Sequence, residues 1–135
     1  LRGIVFDGAS HSQIHNVEVF NIGEEAIHIR DGSDYVLIQN CNIHNTGLKT
    51  PAYGEGIYVG SDKSSWGTYQ PDVTHCTIRN CQIGPNVRGE PFDIKEGTEE
   101  IIIEYNTVDA AGLSGENYAD SFIDLKGTRS YIRYN

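Results

Sequence analysis

Phe92-Asp93-Ile94-Lys95-Glu96-Gly97 and Ile123-Asp124-Leu125-Lys126-Gly127 are near copies of one another. Each alternates apolar and charged residues and stops at a glycine, the pattern of a short, half-buried strand. Ile57-Tyr58-Val59-Gly60 and Ile27-His28-Ile29-Arg30 carry the same alternation upstream, and Ile4-Val5-Phe6-Asp7 begins it. Stacked in register, the outward positions form two columns. One reads Val5, His28, Tyr58, Asp93, Asp124 and the other reads Asp7, Arg30, Gly60, Lys95, Lys126. Chemistry is expected on those columns.

Working outward, every such segment is followed by a second apolar strand, for example Val36-Leu37-Ile38, Cys76-Thr77-Ile78 and Ile101-Ile102-Ile103. A polar corner comes two residues later, at Asn16, Asn40, Asn80, Tyr105 and Tyr134, and then a third short strand such as Val17-Glu18-Val19 or Asn42-Ile43. The unit recurs about once per 30 residues, which is the signature of a solenoid whose coils bury their inner faces only by stacking. A sandwich would place Asp-Gly or Asn-Gly hairpin turns between neighbouring strands. Here Asp7-Gly8 and Asp31-Gly32 close the same strand of successive repeats, and no window has helical spacing of apolar residues. The expected architecture is one domain over residues 1–135, of about five coils. Both ends are abrupt, so we read the chain as a fragment lacking caps, with further coils of a longer chain or another chain as partners at the open ends. The segments Asn45–Glu55, Ser61–Asp72 and Asp109–Asp120 interrupt the repeat at the two edges of the first strand type. They are expected to wall a groove whose floor is that sheet.

The 135 residues include 15 glycines and no methionine, and the formal charge is −9 with a pI near 4.8. Such an acidic chain is not expected to bind nucleic acid or an anionic membrane, and an acidic polymer would need a cation between them. No apolar run approaches the roughly 20 residues needed to span a bilayer. There is no signal peptide, which a mature secreted chain would also lack. Three cysteines make neither a disulfide framework nor a zinc motif. Cys41 and Cys81 hold matching places in Gln39-Asn40-Cys41-Asn42-Ile43 and Arg79-Asn80-Cys81-Gln82-Ile83, so they are expected side by side as a buried thiol pair or a disulfide, with Cys76 in the core.

Asp93, Lys95, Asp124 and Lys126 would form a square of like charges stacked on neighbouring coils, open to solvent. The bland reading is a solvated ladder of two weak ion pairs. The chemical reading is that lysine over lysine disfavours the charged amine, leaving one as a base for the proton alpha to a uronate carboxylate. Asp93 and Asp124 with Glu90 or Glu96 are hard oxygen ligands that suit Ca2+, which would neutralise that carboxylate. His28, Arg30 and Tyr58 extend the columns and are expected to bind substrate, with His28 and Tyr58 joining Trp66 and Tyr69 of the 61–72 loop as platforms for sugar rings. No nucleophile elbow, phosphate-binding glycine loop or metalloprotease motif is present.

The chain resembles secreted right-handed parallel β-helix proteins of the pectate-lyase-like superfamily. The resemblance rests on Gly89-Glu90-Pro91-Phe92-Asp93-Ile94-Lys95-Glu96-Gly97-Thr98, and on Leu113-Ser114-Gly115-Glu116-Asn117 followed by Ala119 to Gly127. Among lyases it is similar to the chondroitinase B and alginate lyase family, in which a strand ends in a base lysine and the next coil supplies an arginine. That resemblance implies Lys95 as base, with Lys126 standing where the family has arginine, as electrostatic or acid partner. Paired aspartates with Gly-His-Gly and Arg-Ile-Lys, as in polygalacturonases, are absent. The reading is a secreted lyase acting on a uronate polysaccharide; the rival is a non-catalytic glycan-binding or structural solenoid.

Overall fold

The computed structural model describes residues 1–135. The first coil consists of β1 (Ile4–Asp7), β2 (Gln13–His15) and β3 (Glu18–Phe20), and the second of β4 (Ile27–Arg30), β5 (Leu37–Gln39) and β6 (Asn42–His44). The third holds β7 (Ile57–Val59), β8 (Thr77–Arg79) and β9 (Gln82–Ile83), and the fourth β10 (Phe92–Ile94), β11 (Ile102–Glu104) and β12 (Thr107–Val108). A fifth coil supplies β13 (Ile123–Leu125) and β14 (Tyr131–Arg133). Strands of one kind pair only with their equivalents on adjacent coils, always parallel, giving three sheets ordered β1-β4-β7-β10-β13, β2-β5-β8-β11-β14 and β3-β6-β9-β12. No consecutive strands form a hairpin. The architecture is the five-coil parallel β-helix expected from the repeat.

Inside, equivalent residues stack. Ile27, Ile57 and Phe92 form one wholly buried column that continues to Ile123, and Ile29, Val59 and Ile94 form a second. Ile38, Ile78 and Ile103 do the same on the second sheet, and Ile43 and Ile83 on the third. Apolar residues at alternate positions thus bury against their own repeats. Ile94 is fully enclosed, so Ile94→Ala should cost about 2–5 kcal/mol in chemical denaturation. A loss near zero would mean that the stacked column does not hold the coils together.

The polar corners turn by left-handed backbone: Asn16, Asn40, Asn80, Tyr105 and Tyr134 have φ of 55°, 55°, 53°, 55° and 58°. Asparagine tolerates that region better than other non-glycine residues. A second left-handed column, His11, Tyr35, His75, Glu100 and Arg129, links the first sheet to the second. Its rings stack, with centroids 4.7 Å apart for His11–Tyr35 and 4.6 Å for Tyr35–His75. Cys41 and Cys81 are aligned between the register pairs Gln39–Arg79 and Asn42–Gln82, and all three cysteines are free and buried. Burial pushes the Cys76 and Cys81 thiols up to about 11, which makes them packing residues.

Candidate functional site

The first sheet lies in the register that the alternation predicts. Val5, His28, Tyr58, Asp93 and Asp124 are successive partners across β1, β4, β7, β10 and β13. The interruptions rise on both sides. One rim is the 61–72 segment, whose short helical turn Lys63–Ser65 is capped by Asp62. The other rim joins the turns Pro51–Tyr53 and Glu116–Tyr118, where Asn117 Nδ2 donates to the Ala52 carbonyl at 3.3 Å. Between the rims is a cleft of about 640 Å³, with His28, Arg30, Tyr58 and Lys95 on its floor.

A third column borders the floor, two residues upstream of each first strand: Arg2, Glu25, Glu55, Glu90 and Ser121. Backbone bonds hold it in step, with Gly3 N donating to Glu25 O, Ala26 N to Glu55 O and Gly56 N to Glu90 O at 3.2, 2.9 and 3.0 Å. Glu25, Glu55 and Glu90 are all buried. Glu55, Glu90 and Asp93 converge so that one oxygen of each lies within 4.8 Å of the others. Burial raises all three carboxyls, and takes Glu55 from 4.5 to about 8 with help from the Asp93, Glu25 and Glu90 charges. Lys95 and Lys126 oppose the rise at Asp93. The folded chain therefore holds a proton on Glu55 that the unfolded chain releases. Its contribution to stability is full below about pH 4.5 and is lost as pH rises toward 8. Thermal melts of Glu55→Gln without divalent cations should be flatter across that window than those of the native chain. An unchanged slope would rule Glu55 out as its source.

His28 is buried in the floor, not presented as an open platform. Its Nδ1 bonds the Glu25 carboxylate at 3.0 Å and its Nε2 donates to the Gly60 carbonyl at 2.8 Å. Burial pushes Glu25 up, but hydrogen bonds from His28 and Arg2 outweigh it and hold the carboxyl below its usual value. The His28 ring meets Tyr58 edge-on, 4.5 Å between centroids, and Lys95 Nζ is 5.1 Å from the Tyr58 centroid on the other side. Burial, then the Asp93 and Glu55 charges, push the Tyr58 phenol well up, so it keeps its proton at neutral pH.

The square open to solvent is corrected by burial and pairing. Asp93 is only 3% exposed, flanked by Tyr58 and Asp124 on the adjacent coils with Glu55 and Glu90 beside it. Its Oδ2 bonds Lys95 Nζ at 2.8 Å, while Oδ1 is buried with no hydrogen-bond partner and has Lys126 Nζ 3.7 Å away. Lys126 pairs with Asp124, and these carboxylates raise its pKa against the opposing effect of burial. Stacking therefore does not drive a proton from Lys126; opposite charges two residues apart on one strand face are the nearer neighbours. Asp124 stays with Lys126, and Glu96 pairs with Lys63 at 3.4 Å, so neither joins the triplet that Glu55 completes. Trp66, 37% exposed, turns its Nε1 to the carbonyl of Ser61 in its own loop at 3.0 Å. It braces the rim, and Tyr69 is the aromatic of that loop that lines the cleft.

The family described as right handed beta helix region matches residues 2–134. Among solved structures, the crystal structure of an alginate lyase from Paenibacillus sp. str. FPU-7 superposes with a TM-score of 0.99 at 48% sequence identity. The superposition covers 100% of this chain and 45% of that one, so the chain spans less than half the length of that lyase. No curated protein matches the chain.

Proposed function

We propose that this chain, which belongs to the right-handed β-helix family, forms the catalytic cleft of a secreted lyase that cleaves a uronate-containing polysaccharide by β-elimination. The observation that carries the reading is the pairing of Lys95 with Tyr58 on the cleft floor, an amine and a protonated phenol on adjacent coils with buried carboxylates beside them. Likeness to an alginate lyase at 48% identity supports the same class of substrate.

In this reading Lys95 Nζ, freed of its proton, takes the C5 proton of the uronate next to the scissile bond. The C–H electron pair forms the C4–C5 double bond and the C4–O4 bond breaks. Tyr58 gives its proton to the departing O4, and the proton gained by Lys95 restores the phenol, so no co-reactant is consumed. Tyr58 thus replaces Lys126 as the acid, because Lys126 is bound to Asp124 and Asp93 and does not line the cleft, whereas Tyr58 lines it together with Lys95.

Glu55, Glu90 and Asp93 fit a hard divalent cation such as Ca2+, since three buried carboxylates converge and Asp93 Oδ1 lacks a hydrogen-bond partner. Such a cation would offset the uronate carboxylate's charge as acidity develops at C5. Calcium at about 100 times its Kd should stabilise the fold by about 2.7 kcal/mol, and Glu55→Gln should remove most of that gain in thermal melts. Equal stabilisation of both proteins would exclude the triplet as the binding site.

The decisive experiment is incubation with alginate and other uronate polymers while following the ultraviolet absorbance of unsaturated uronate ends. A calcium-dependent rise supports elimination. Binding with no absorbance change on any uronate polymer would overturn it in favour of a glycan-binding solenoid.

A further inference from the structure

The column that carries Lys95 reads Asp7, Arg30, Gly60, Lys95, Lys126, and its second cation in the cleft is Arg30, two coils from Lys95. Arg30 is held rigidly. Its Nε and Nη2 donate to the Asp7 carboxylate at 3.1 and 2.9 Å, and its guanidinium lies over the Tyr69 ring, 3.9 Å from the centroid. The side chain is 13% exposed. Two of its three nitrogens are spent on Asp7, and Nη1 remains as a donor with no protein partner. A planar cation fixed on both sides with one free edge is prepared to receive a carboxylate with little further loss of freedom.

Between Arg30 and Lys95 stands Gly60, at φ +91°, where a Cβ would come within 2.7 Å of Thr98 Cγ2 and 3.1 Å of Lys95 Cβ. Gly60 is buried, and its missing side chain lets the coil that carries Lys95 and Thr98 pack close against it. Two coil spacings separate the cations by about 10 Å along the axis, and one pyranose unit is close in length to one coil rise. A chain lying along the cleft from Lys95 past Tyr58 would bring a second carboxylate to Arg30.

We propose that Arg30, backed by Asp7 and Tyr69, is a carboxylate-reading subsite that binds a uronate two sugar units from the one whose proton Lys95 removes. This rests on the uronate lyase reading and adds a length and charge requirement to it. A polymer with neutral sugars at that subsite would lose the contact.

The test is calorimetric binding of a saturated uronate dimer and tetramer to the Lys95→Arg protein, in which substrate stays whole, with and without Arg30→Gln. Loss of a hydrogen bond to a charged partner should weaken tetramer binding roughly 10- to 100-fold, with a much smaller effect on the dimer. Tyr69→Ala should show the same length selectivity with a smaller loss, and guards against misfolding of the Arg30 variant. Equal weakening of dimer and tetramer, or no weakening, would overturn the subsite. Length-selective binding by a native protein that shows no elimination would support the subsite while overturning the lyase reading. Absence of oligouronate binding to any of these proteins would overturn both.

Discussion

Replacing Lys95 by arginine will abolish elimination while leaving the fold and the charge of the cleft in place. Lys95 Nζ bonds Asp93 Oδ2 at 2.8 Å, and a guanidinium can make the same kind of contact. What arginine cannot do is release its proton near neutral pH, so the substitution separates the base from the cation. A positioned general base contributes about 10²- to 10⁴-fold, and the expected loss in turnover is at least of that order. Lys95→Ala should be equally inactive, with weaker binding in addition because a charge leaves the cleft. An active Lys95→Arg enzyme would exclude Lys95 as the base, since no arrangement of the buried carboxylates turns arginine into one. The two variants read together also separate electrostatic attraction of a polyanion from proton removal: the first survives in arginine, the second does not.

The part of this site that the sequence makes legible is the part that obeys period two. Residues alternating along β4, β7, β10 and β13 fall in the columns expected from Ile27-His28-Ile29-Arg30 and its copies, and the interruptions at 45–55, 61–72 and 109–120 become the walls of the cleft. Burial within a column is a different matter. Position in the alternation says that Asp93 faces away from the core, yet it is buried, with Lys95 and Lys126 on its carboxylate and Glu55 and Glu90 converging on it from outside the alternation. The same holds for His28, whose ring nitrogens find Glu25 and Gly60. The glutamate column had a signal that the strand pattern passes over. Glu25, Glu55 and Glu90 each stand two residues before the first apolar residue of a strand, so the repeat extends one step beyond the alternation. Treating each repeat as starting at that glutamate brings Glu55 to Asp93 without coordinates. At Lys126 the stacking argument fails for a local reason: Asp124 is its same-face neighbour on one strand, and against the opposing effect of burial that carboxylate and Asp93 raise the amine's pKa.

Tyr58→Phe will lower turnover by about 10²- to 10⁴-fold, the range for a lost general acid, with KM nearly unchanged. The ring is retained, and with it the edge-on contact to His28 and the cation contact from Lys95. Only the hydroxyl is removed, so a fall in kcat with constant KM isolates an interaction made in the transition state. The native phenol is suited to this role because burial, then the Asp93 and Glu55 charges, keep it protonated until negative charge develops on the leaving oxygen. A substrate whose leaving group is an acidic aryl alcohol needs no proton from the enzyme. Tyr58→Phe should therefore cleave such a uronate almost as fast as the native protein, whereas Lys95→Arg should stay inactive on it, because the C5 proton must still be removed. If Tyr58→Phe proves equally slow on both substrates, the hydroxyl acts before the bond to O4 breaks, and Tyr58 is not the acid. If it retains full turnover on the natural polymer, the proton comes from solvent and the phenol is part of the floor alone.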